Sequence, residues 1–383
     1  MIRLAVVANT PPPYRVPIFQ RLGKAPGFTF QVIFCSKREP NRAWDLPGFD
    51  FDHVFLPENY ITVKKWGSHL DERYIHNNFG VVSSLRKFNP DIVVTDGFNP
   101  THLYAFGYAA AKGLIHIPMT DGTDISEQAL TGIHRMVRRF VYSRSSTFVS
   151  ASRGGDRLYR SYGISNDRLF QSCLCIDNAA FSPQAAAEEK KYDFIFCGRI
   201  EEQKRPLFAL EVARLVAQRI HRKTRILFAG SGMLDEQLKQ EAARCSDLVE
   251  TTFHGFASQA ELPGLYRSAH IFLFPTEIDV WGVVANEACA AGLPVIISPH
   301  AGAAGELVLD GQNGFICDLD AKLWTDRAVL LLMQPDLCRQ FSQRSLALVS
   351  KYTFDNAANG LLDACRAAVE MREANGVKMK GRL

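Results

Sequence analysis

Residues 275–295 read PTEIDVWGVVANEACAAGLPV. Asp279 and Glu287 stand eight positions apart around Trp281-Gly282, in an otherwise apolar stretch closed by Gly292-Leu293-Pro294. The β-branched and aromatic run at 271–274 reads as a strand, 275–281 as a loop, and a helix begins near Gly282 or Val283. Asp279 then lies in the loop and Glu287 about one turn into the helix. The first N–H groups of that helix, at Gly282, Val283 and Val284, have no partner within it and suit an anion. A carboxylate beside them serves another purpose, because it accepts hydrogen bonds and sugar hydroxyls donate them. Taken singly, Asp279 also fits a loop acid or a cap, and Glu287 an exposed helix residue.

Outward from this stretch the same alternation recurs. In the second half, 194–197, 226–229, 271–274 and 295–298 read as buried strands, and 206–219, 235–243 and 261–268 as helices. In the first half the strands are 4–8, 30–34, 92–95, 115–119 and 147–150, with helical patterns at 102–112 and 134–144. Strand and helix in alternation imply parallel sheets with right-handed crossovers. The expected fold class is therefore α/β, with two Rossmann-like doubly wound domains. The polar stretch FSPQAAAEEKKYD at 181–193 reads as the linker. The first domain is expected over 1–180 and the second over 190–350. A helical tail, about 354–375, has apolar positions at Leu361, Leu362, Cys365, Ala368 and Val369. Ligands of such sheets bind outside the carboxyl ends of the strands, where helix N-termini attract phosphates.

A chain of 383 residues fits two domains of this kind. Through Ala180 there are 21 Lys and Arg against 15 Asp and Glu, and beyond it 23 against 25. The excess of +6 in the first half suits phosphate groups or an anionic membrane surface; a chance bias gives the same count. No nucleic-acid partner is expected. The start, MIRLAVVANTPPPYR, has no apolar core or cleavage site of a signal peptide. No apolar run approaches the ~18–20 residues of a membrane helix. The nine cysteines are scattered, with Cys173 and Cys175 at neither a zinc nor a redox spacing. A cytoplasmic location with reduced thiols is the expectation.

Two further segments carry chemistry. Gly198-Arg199 follows a strand, and Lys204 comes five residues after Arg199, before a helix opened by Pro206. Arg offers a fork and Lys a point charge to a diphosphate; two solvated loop cations would look the same. Gly230 and Gly232 end the next strand, where glycine lets backbone approach a ligand or simply makes a tight turn.

With these residues in place, the second half resembles the family 4 glycosyltransferases, retaining enzymes of the GT-B fold, of the type used in bacterial polysaccharide assembly. The matching segments are FIFCGRIEEQK, FAGSG, TTFHGF, DVWGVVANEA and AGLPVI, followed by GAAGELVLDGQNGF, in order from about 192 to 318. The resemblance implies two domains facing across a cleft, with the C-terminal helix packing back on the first. It implies that Arg199 and Lys204 hold the donor diphosphate, that Glu287 grips the ribose hydroxyls, and that Asp279 addresses the donor sugar. Gly198, Gly230, Gly232, Trp281, Gly282 and Val283 complete the donor surface, and His254, Gly255 and Phe256, with Phe253, flank the nucleotide base. The family's first acid is usually Glu. Asp279 draws the carboxylate back by about 1.5 Å, one C–C bond, and leaves the donor sugar open.

The first half departs further from the family. Where many relatives have a Gly-Gly loop, this chain reads NTPPPYRVPIFQRL, making Arg15 the candidate phosphate or acceptor contact, or a surface Arg. Where many have His, it has Asp121-Gly122-Thr123, so Asp121 joins Arg199, Lys204 and Asp279 as a candidate for catalysis, or else caps the next helix. Arg42 and Trp44, with Trp66 and His69, are candidates for an acceptor surface. Asp50-Phe51-Asp52 and Asp318-Leu319-Asp320 imitate a metal clamp, but acid and aromatic alternation also suits a half-exposed strand. No essential metal and no cofactor are expected.

The resemblance thus implies transfer of a hexose from a UDP- or GDP-linked donor to a hydroxyl of a glycan or polyprenyl-linked acceptor in cell-envelope or exopolysaccharide synthesis. The segment IHRMVRRFVYSR, with Arg135, Arg138, Arg139 and Arg144 among apolar residues, suits peripheral docking on the inner face of the plasma membrane, or a packed helix with a basic edge. A nucleotide-sugar binding protein without catalysis, an epimerase and a phosphorylase on the same fold are the alternatives.

Overall fold

The computed structural model describes residues 1–40, 48–63, 73–128, 130–183, 190–374 and 376. It divides into two compact units, Met1–Leu174 with Phe354–Leu383, and Cys175–Thr353. Both are parallel α/β sheets of the doubly wound kind.

The strands of the first unit are β1 (Ile2–Ala8), β2 (Phe28–Phe34), β3 (Asp52–Phe55), the hairpin β4 (Tyr60–Val63) and β5 (Arg73–His76), β6 (Ile92–Asp96), β7 (Ile115–Thr120), β8 (Phe148–Ser150) and β9 (Leu169–Gln171). Apart from the hairpin they form one sheet in the order β3-β2-β1-β6-β7-β8-β9, parallel throughout. The middle strands are apolar almost end to end because helices cover both faces. Strand order reverses between β1 and β6, which makes that edge the switch point where such sheets hold ligands.

The second unit has β10 (Tyr192–Cys197), β11 (Thr224–Ala229), β12 (Val249–Gly255), β13 (Ala269–Phe274), β14 (Val295–Ile297) and β15 (Gly314–Ile316). Their order is β12-β11-β10-β13-β14-β15, again all parallel, with the switch point between β10 and β13. Phe194, Phe196, Phe228, Ile271, Leu273 and Trp324 form its core with the helix Pro206–Ile220. The long buried strands lie within a residue or two of their expected places. The edge strands β9, β12 and β15 and the hairpin were not among the strands read from the sequence, since each is short or alternates polar residues, whereas β3 begins at the alternating acid and aromatic stretch that suited a half-exposed strand. Asp52 opens β3 and accepts from Gln31 at 2.8 Å, Asp50 pairs with Lys24, and Asp320 caps the helix Ala321–Met333 through the Leu323 N–H at 2.9 Å.

The helix Phe354–Ala374 belongs to the first unit, packed on the helix Val16–Gly23 and on β7 to β9. Its buried stripe includes Leu361, Leu362, Cys365, Ala368 and Val369. Thr147 Oγ1 donates to the Ala364 carbonyl at 2.9 Å, and a Cβ on Gly360 would stand 1.7 Å from the Gln171 carbonyl oxygen. Alanine is intrinsically favoured over glycine in a helix by about 0.8–1.0 kcal/mol. At Gly360 the collision outweighs that gain, so Gly360→Ala should destabilise the chain by about 1–3 kcal/mol in urea unfolding. At Gly107, exposed on the helix Pro100–Ala111 with nothing near a new Cβ, the same change should stabilise it by about 0.5–1 kcal/mol.

Candidate active site

The switch point of the second sheet gathers the segments after β10 and β13. Lys204 ends a short 3-10 turn, Glu202–Lys204, and its Nζ lies 2.6 Å from Asp279 Oδ2 and 3.5 Å from Thr276 Oγ1. The two side chains are only 15% and 20% exposed, so the ion pair is partly withdrawn from water. Both loops are tied down. The Glu277 N–H donates to Gln203 at 2.8 Å, and Arg205 pairs with Glu277 at 2.9 Å. Beyond β14, the Gly302 and Ala303 N–H groups donate to the carbonyls of Asp279 and Trp281, each at 2.9 Å, bracing the loop from its other side. Arg199 stands at the same edge with Glu201 at 3.2 Å, 40% exposed. A cation, a cation–carboxylate pair and the Gly282 end of the helix Val283–Ala290 thus surround one strand edge.

The glycines there allow one loop to lie close against another. A Cβ on Gly230 would lie 1.9 Å from the Gly198 carbonyl oxygen, and one on Gly232 2.4 Å from that of Ile200. They let the loops after β10 and β11 close on each other. Gly282 has φ +88°, and its missing side chain leaves room for the Phe274 ring, 2.3 Å from where a Cβ would be. Val283, next to it, is half-buried.

Trp281, expected on the donor surface, is a core residue. Its indole N–H donates to Asn286 at 2.7 Å, its ring lies 5.4 Å from that of Tyr352, and only its backbone N–H faces the site, donating to Asp279 Oδ1 at 3.2 Å. Glu287 is not an exposed helix residue either. It is buried, accepts from the Tyr266 hydroxyl at 2.8 Å, and burial pushes its carboxyl up to about 7 against the pull of that hydrogen bond. An acid made this costly to ionise is poised for partners that donate to it. His254 lies at the end of β12, 3.8 Å from Glu261. Phe253 stacks on Phe228 with centroids 5.7 Å apart, the Gly255 carbonyl is held by the Gly230 N–H at 2.7 Å, and Phe256 stands 66% exposed, an open platform for a planar ring.

In the first unit Arg15 is neither a surface residue nor an open cation. It is buried just before the helix Val16–Gly23, with one guanidinium nitrogen on Asp121 and another on the Ser172 carbonyl and hydroxyl. Asp121 follows β7, while Gly122 and Thr123 turn the chain through bonds to Thr120 and Ser126. Asp121 is therefore half of an ion pair, and Thr131, not Asp121, stands at the N-cap of the next helix, Gly132–Tyr142. Arg42, Trp44, Trp66 and His69 lie outside the described residues. Asp96, Ser172, Thr276 and Tyr266 were missed. An acid closing the apolar run IVVTD just before Gly97 was a usable signal for Asp96, whereas Tyr266 carried none.

Residues 177–346 match the family model described as Glycosyl transferases group 1. D-inositol 3-phosphate glycosyltransferase of Arthrobacter sp. (strain FB24) is 30% identical over 207 residues, 51% of this chain and 48% of that relative. Glycogen synthase of Mycobacterium tuberculosis (strain ATCC 25618 / H37Rv) is 32% identical over 125 residues, 33% of this chain and 30% of that relative. The chain thus spans half the length, or less, of these curated relatives. A glycosyltransferase from Rickettsia africae ESF-5 superposes with a TM-score of 0.72 at 14% identity, covering 96% of this chain and 99% of that one. Anabaena Alr3699/HepE in complex with UDP and glucose superposes at 0.69 and 13%, covering 96% and 100%. Residues 177–346 are therefore similar to the Glycosyl transferases group 1 family, carried in a chain whose whole fold is GT-B.

Proposed function

We propose that the chain is a retaining glycosyltransferase that moves a hexose from a UDP- or GDP-linked donor to a hydroxyl of a glycan or lipid-linked acceptor. The observation that carries this reading is the pairing of Lys204 with Asp279 at a strand edge beside Arg199 and a helix N-terminus. The match to Glycosyl transferases group 1 and a neighbour of the same fold bound to UDP and glucose support it.

In this reading the donor enters by exchanging partners. Its diphosphate takes Lys204 and Arg199, and a hydroxyl of its sugar takes Asp279. The acceptor oxygen then bonds to the anomeric carbon as the bond to the diphosphate breaks. The leaving oxygen takes the electron pair and, on the same face, the acceptor's proton. Negative charge grows on the diphosphate, so the cations and the helix end act most strongly in the transition state. The part given to Asp121 rests on its standing where many relatives carry His. No metal or cofactor enters this scheme. The binding-protein and epimerase alternatives gain no observation of their own.

The acceptor reading draws on the helix Gly132–Tyr142. Ile133, Met136 and Phe140 are 70%, 63% and 52% exposed, while Arg138 is buried, paired with Glu127 at 2.7 Å and 4.3 Å over the Phe98 ring. Of the four arginines expected on a basic face, this one is internal. The others, Arg135, Arg139 and Arg144, flank an outward apolar stripe spaced three and four residues apart. That arrangement fits an anionic membrane surface and a lipid-linked acceptor. Among the described residues no helix is long and apolar enough to cross a membrane.

Thermal-shift titration with UDP, GDP and their sugars tests the donor half. One nucleotide at about 100 times its dissociation constant should add about 2.7 kcal/mol of stability. Because ribose hydroxyls favour the ionised form of Glu287, affinity should rise as pH passes upward through about 7, and Glu287→Gln should remove that dependence. No shift with any nucleotide discards the reading. In transfer assays Lys204→Met should lower kcat roughly 10²-fold or more. Finally, the chain should sediment with phosphatidylglycerol vesicles at low salt, but not with phosphatidylcholine, and Phe140→Asp should release it. Indifference to both vesicles would remove the membrane part alone.

A further inference from the structure

The strand β2, FTFQVIF, carries a glutamine at its middle, and its apolar residues outnumber its polar ones. Gln31 lies opposite Ala5 of β1 on one side and Asp52 of β3 on the other, so the three side chains share one face of the sheet. The helix Gly80–Phe88 covers that face, since its Val81, Leu85 and Phe88 pack with Ala5 and Ile33. Around Gln31 the cover is incomplete. The helix presents Ser83, Ser84 and Lys87 there, and a groove of about 560 Å³ opens between them and Arg3, Gln31 and Asp52. Small-molecule sites span roughly 300–1,000 Å³. Arg3 is second in β1 and Asp52 opens β3, so the groove lies toward the amino ends of the strands, away from the switch-point edge.

Gln31 is the group that the packing leaves unanswered. It is 9% exposed, its Nε2 donates to Asp52 Oδ2 at 2.8 Å, and among the described residues its Oε1 has no partner. An unpaired amide oxygen inside a sheet is costly. The last torsion of glutamine is soft, so Oε1 can tilt to meet a donor in the groove. The sheet wall therefore offers acceptors, Gln31 Oε1 and the Asp52 carboxylate. The helix wall offers the Ser83 and Ser84 hydroxyls and the Lys87 ammonium, which donate. Between them Arg3 lies 4.6 Å over the Phe88 ring, and its Nε donates to the Phe88 and Asn89 carbonyls at 3.0 Å. His53 borders the groove but turns its ring to Phe49 and Phe55. With the Phe88 ring covered by Arg3, Val54 is the remaining apolar side chain of the lining, too little to hold a hydrocarbon.

We propose that this groove is a carbohydrate-binding site, apart from both switch points, that takes a neutral mono- or disaccharide unit. Donors on one wall and acceptors on the other select the ligand. A phosphate or carboxylate accepts only; it would answer Lys87 but leave Gln31 unpaired and stand against Asp52. An ammonium donates only; it would answer Gln31 and Asp52 but stand against Lys87 and Arg3. A hydroxyl both donates and accepts, so a ring carrying hydroxyls on both edges meets the two walls at once. The site uses none of the groups assigned to the donor, and it stands whether or not the chain transfers a sugar.

Saturation-transfer NMR on the full chain tests this, with methyl glucoside, methyl galactoside, methyl N-acetylglucosaminide, maltose and lactose at millimolar concentration. At least one of these neutral sugars should receive saturation, and neither inorganic phosphate nor UDP or GDP should displace it. Gln31→Leu should lose the signal, and so should Ser84→Phe, which fills the groove from the helix side and leaves the amide in place. Because Gln31→Leu removes an unpaired buried oxygen, it should melt at the wild-type temperature or above it. No signal from any sugar of the panel, a signal that survives in both variants, or displacement by phosphate overturns the proposal. A lowered melting temperature in Gln31→Leu together with full sugar binding in Ser84→Phe makes the amide a structural brace and overturns it as well.

Discussion

Parallel pairing throughout both main sheets is the constraint on which the rest of this protein depends. Every strand of a parallel sheet releases its chain at the same edge, and each crossover helix begins there. Where strand order reverses, two neighbouring loops run apart and leave an open position between them. In the second unit that position is bordered by the segments carrying Lys204 and Asp279. In the first it is bordered by Arg15 and Asp96, with Asp121 one strand away. Each unit thus places a cation from after its first strand against an acid from after a strand across the reversal.

These pairs are not chiefly devices of stability. Partly exposed ion pairs contribute about 0–1 kcal/mol, and a buried cation offsets much of its attraction by desolvation. Their value lies in preorganisation. Lys204 and Asp279 are anchored through Thr276, Gln203 and the 302–303 loop, so the proposed donor would meet charges already in place. The glycines close the same loops on one another, with the Gly198 carbonyl where a side chain on Gly230 would be. The cost is conformational restriction in the sequence, which tolerates no Cβ at these points.

Much of this was legible beforehand. Buried parallel strands are unbroken apolar runs, and helices show a period near 3.6, so the long elements lay within a residue or two of their expected places. Arg199, Lys204, Asp279 and Glu287 could be singled out as candidates because their spacing relative to strands and glycines is local. Trp281 was misjudged because sequence position puts it in the loop, whereas its side chain turns inward to Asn286 and Tyr352. The burial and pairing of Arg15 could not be read because its partners, Asp121 and Ser172, lie 106 and 157 residues away. The edge strand β12 was hidden by the polar alternation of VETTFHG.

The sequence by itself determined the period of each element, the order of strand and helix, and the chemical types available at each strand end. Those follow from backbone geometry and side-chain chemistry, which are properties of neighbours along the chain. Tertiary structure decided which of those groups meet and which face water. Burial raised Glu287 to about 7, and pairing committed Arg15 to Asp121. The amphipathic pattern of Gly132–Tyr142 was plain in the sequence. Its orientation was set only by packing that drew Arg138 inward onto Glu127 and Phe98 and left Ile133, Met136 and Phe140 outside. Desolvation and charge compensation depend on the sum of surrounding atoms, and no local stretch of chain contains that sum.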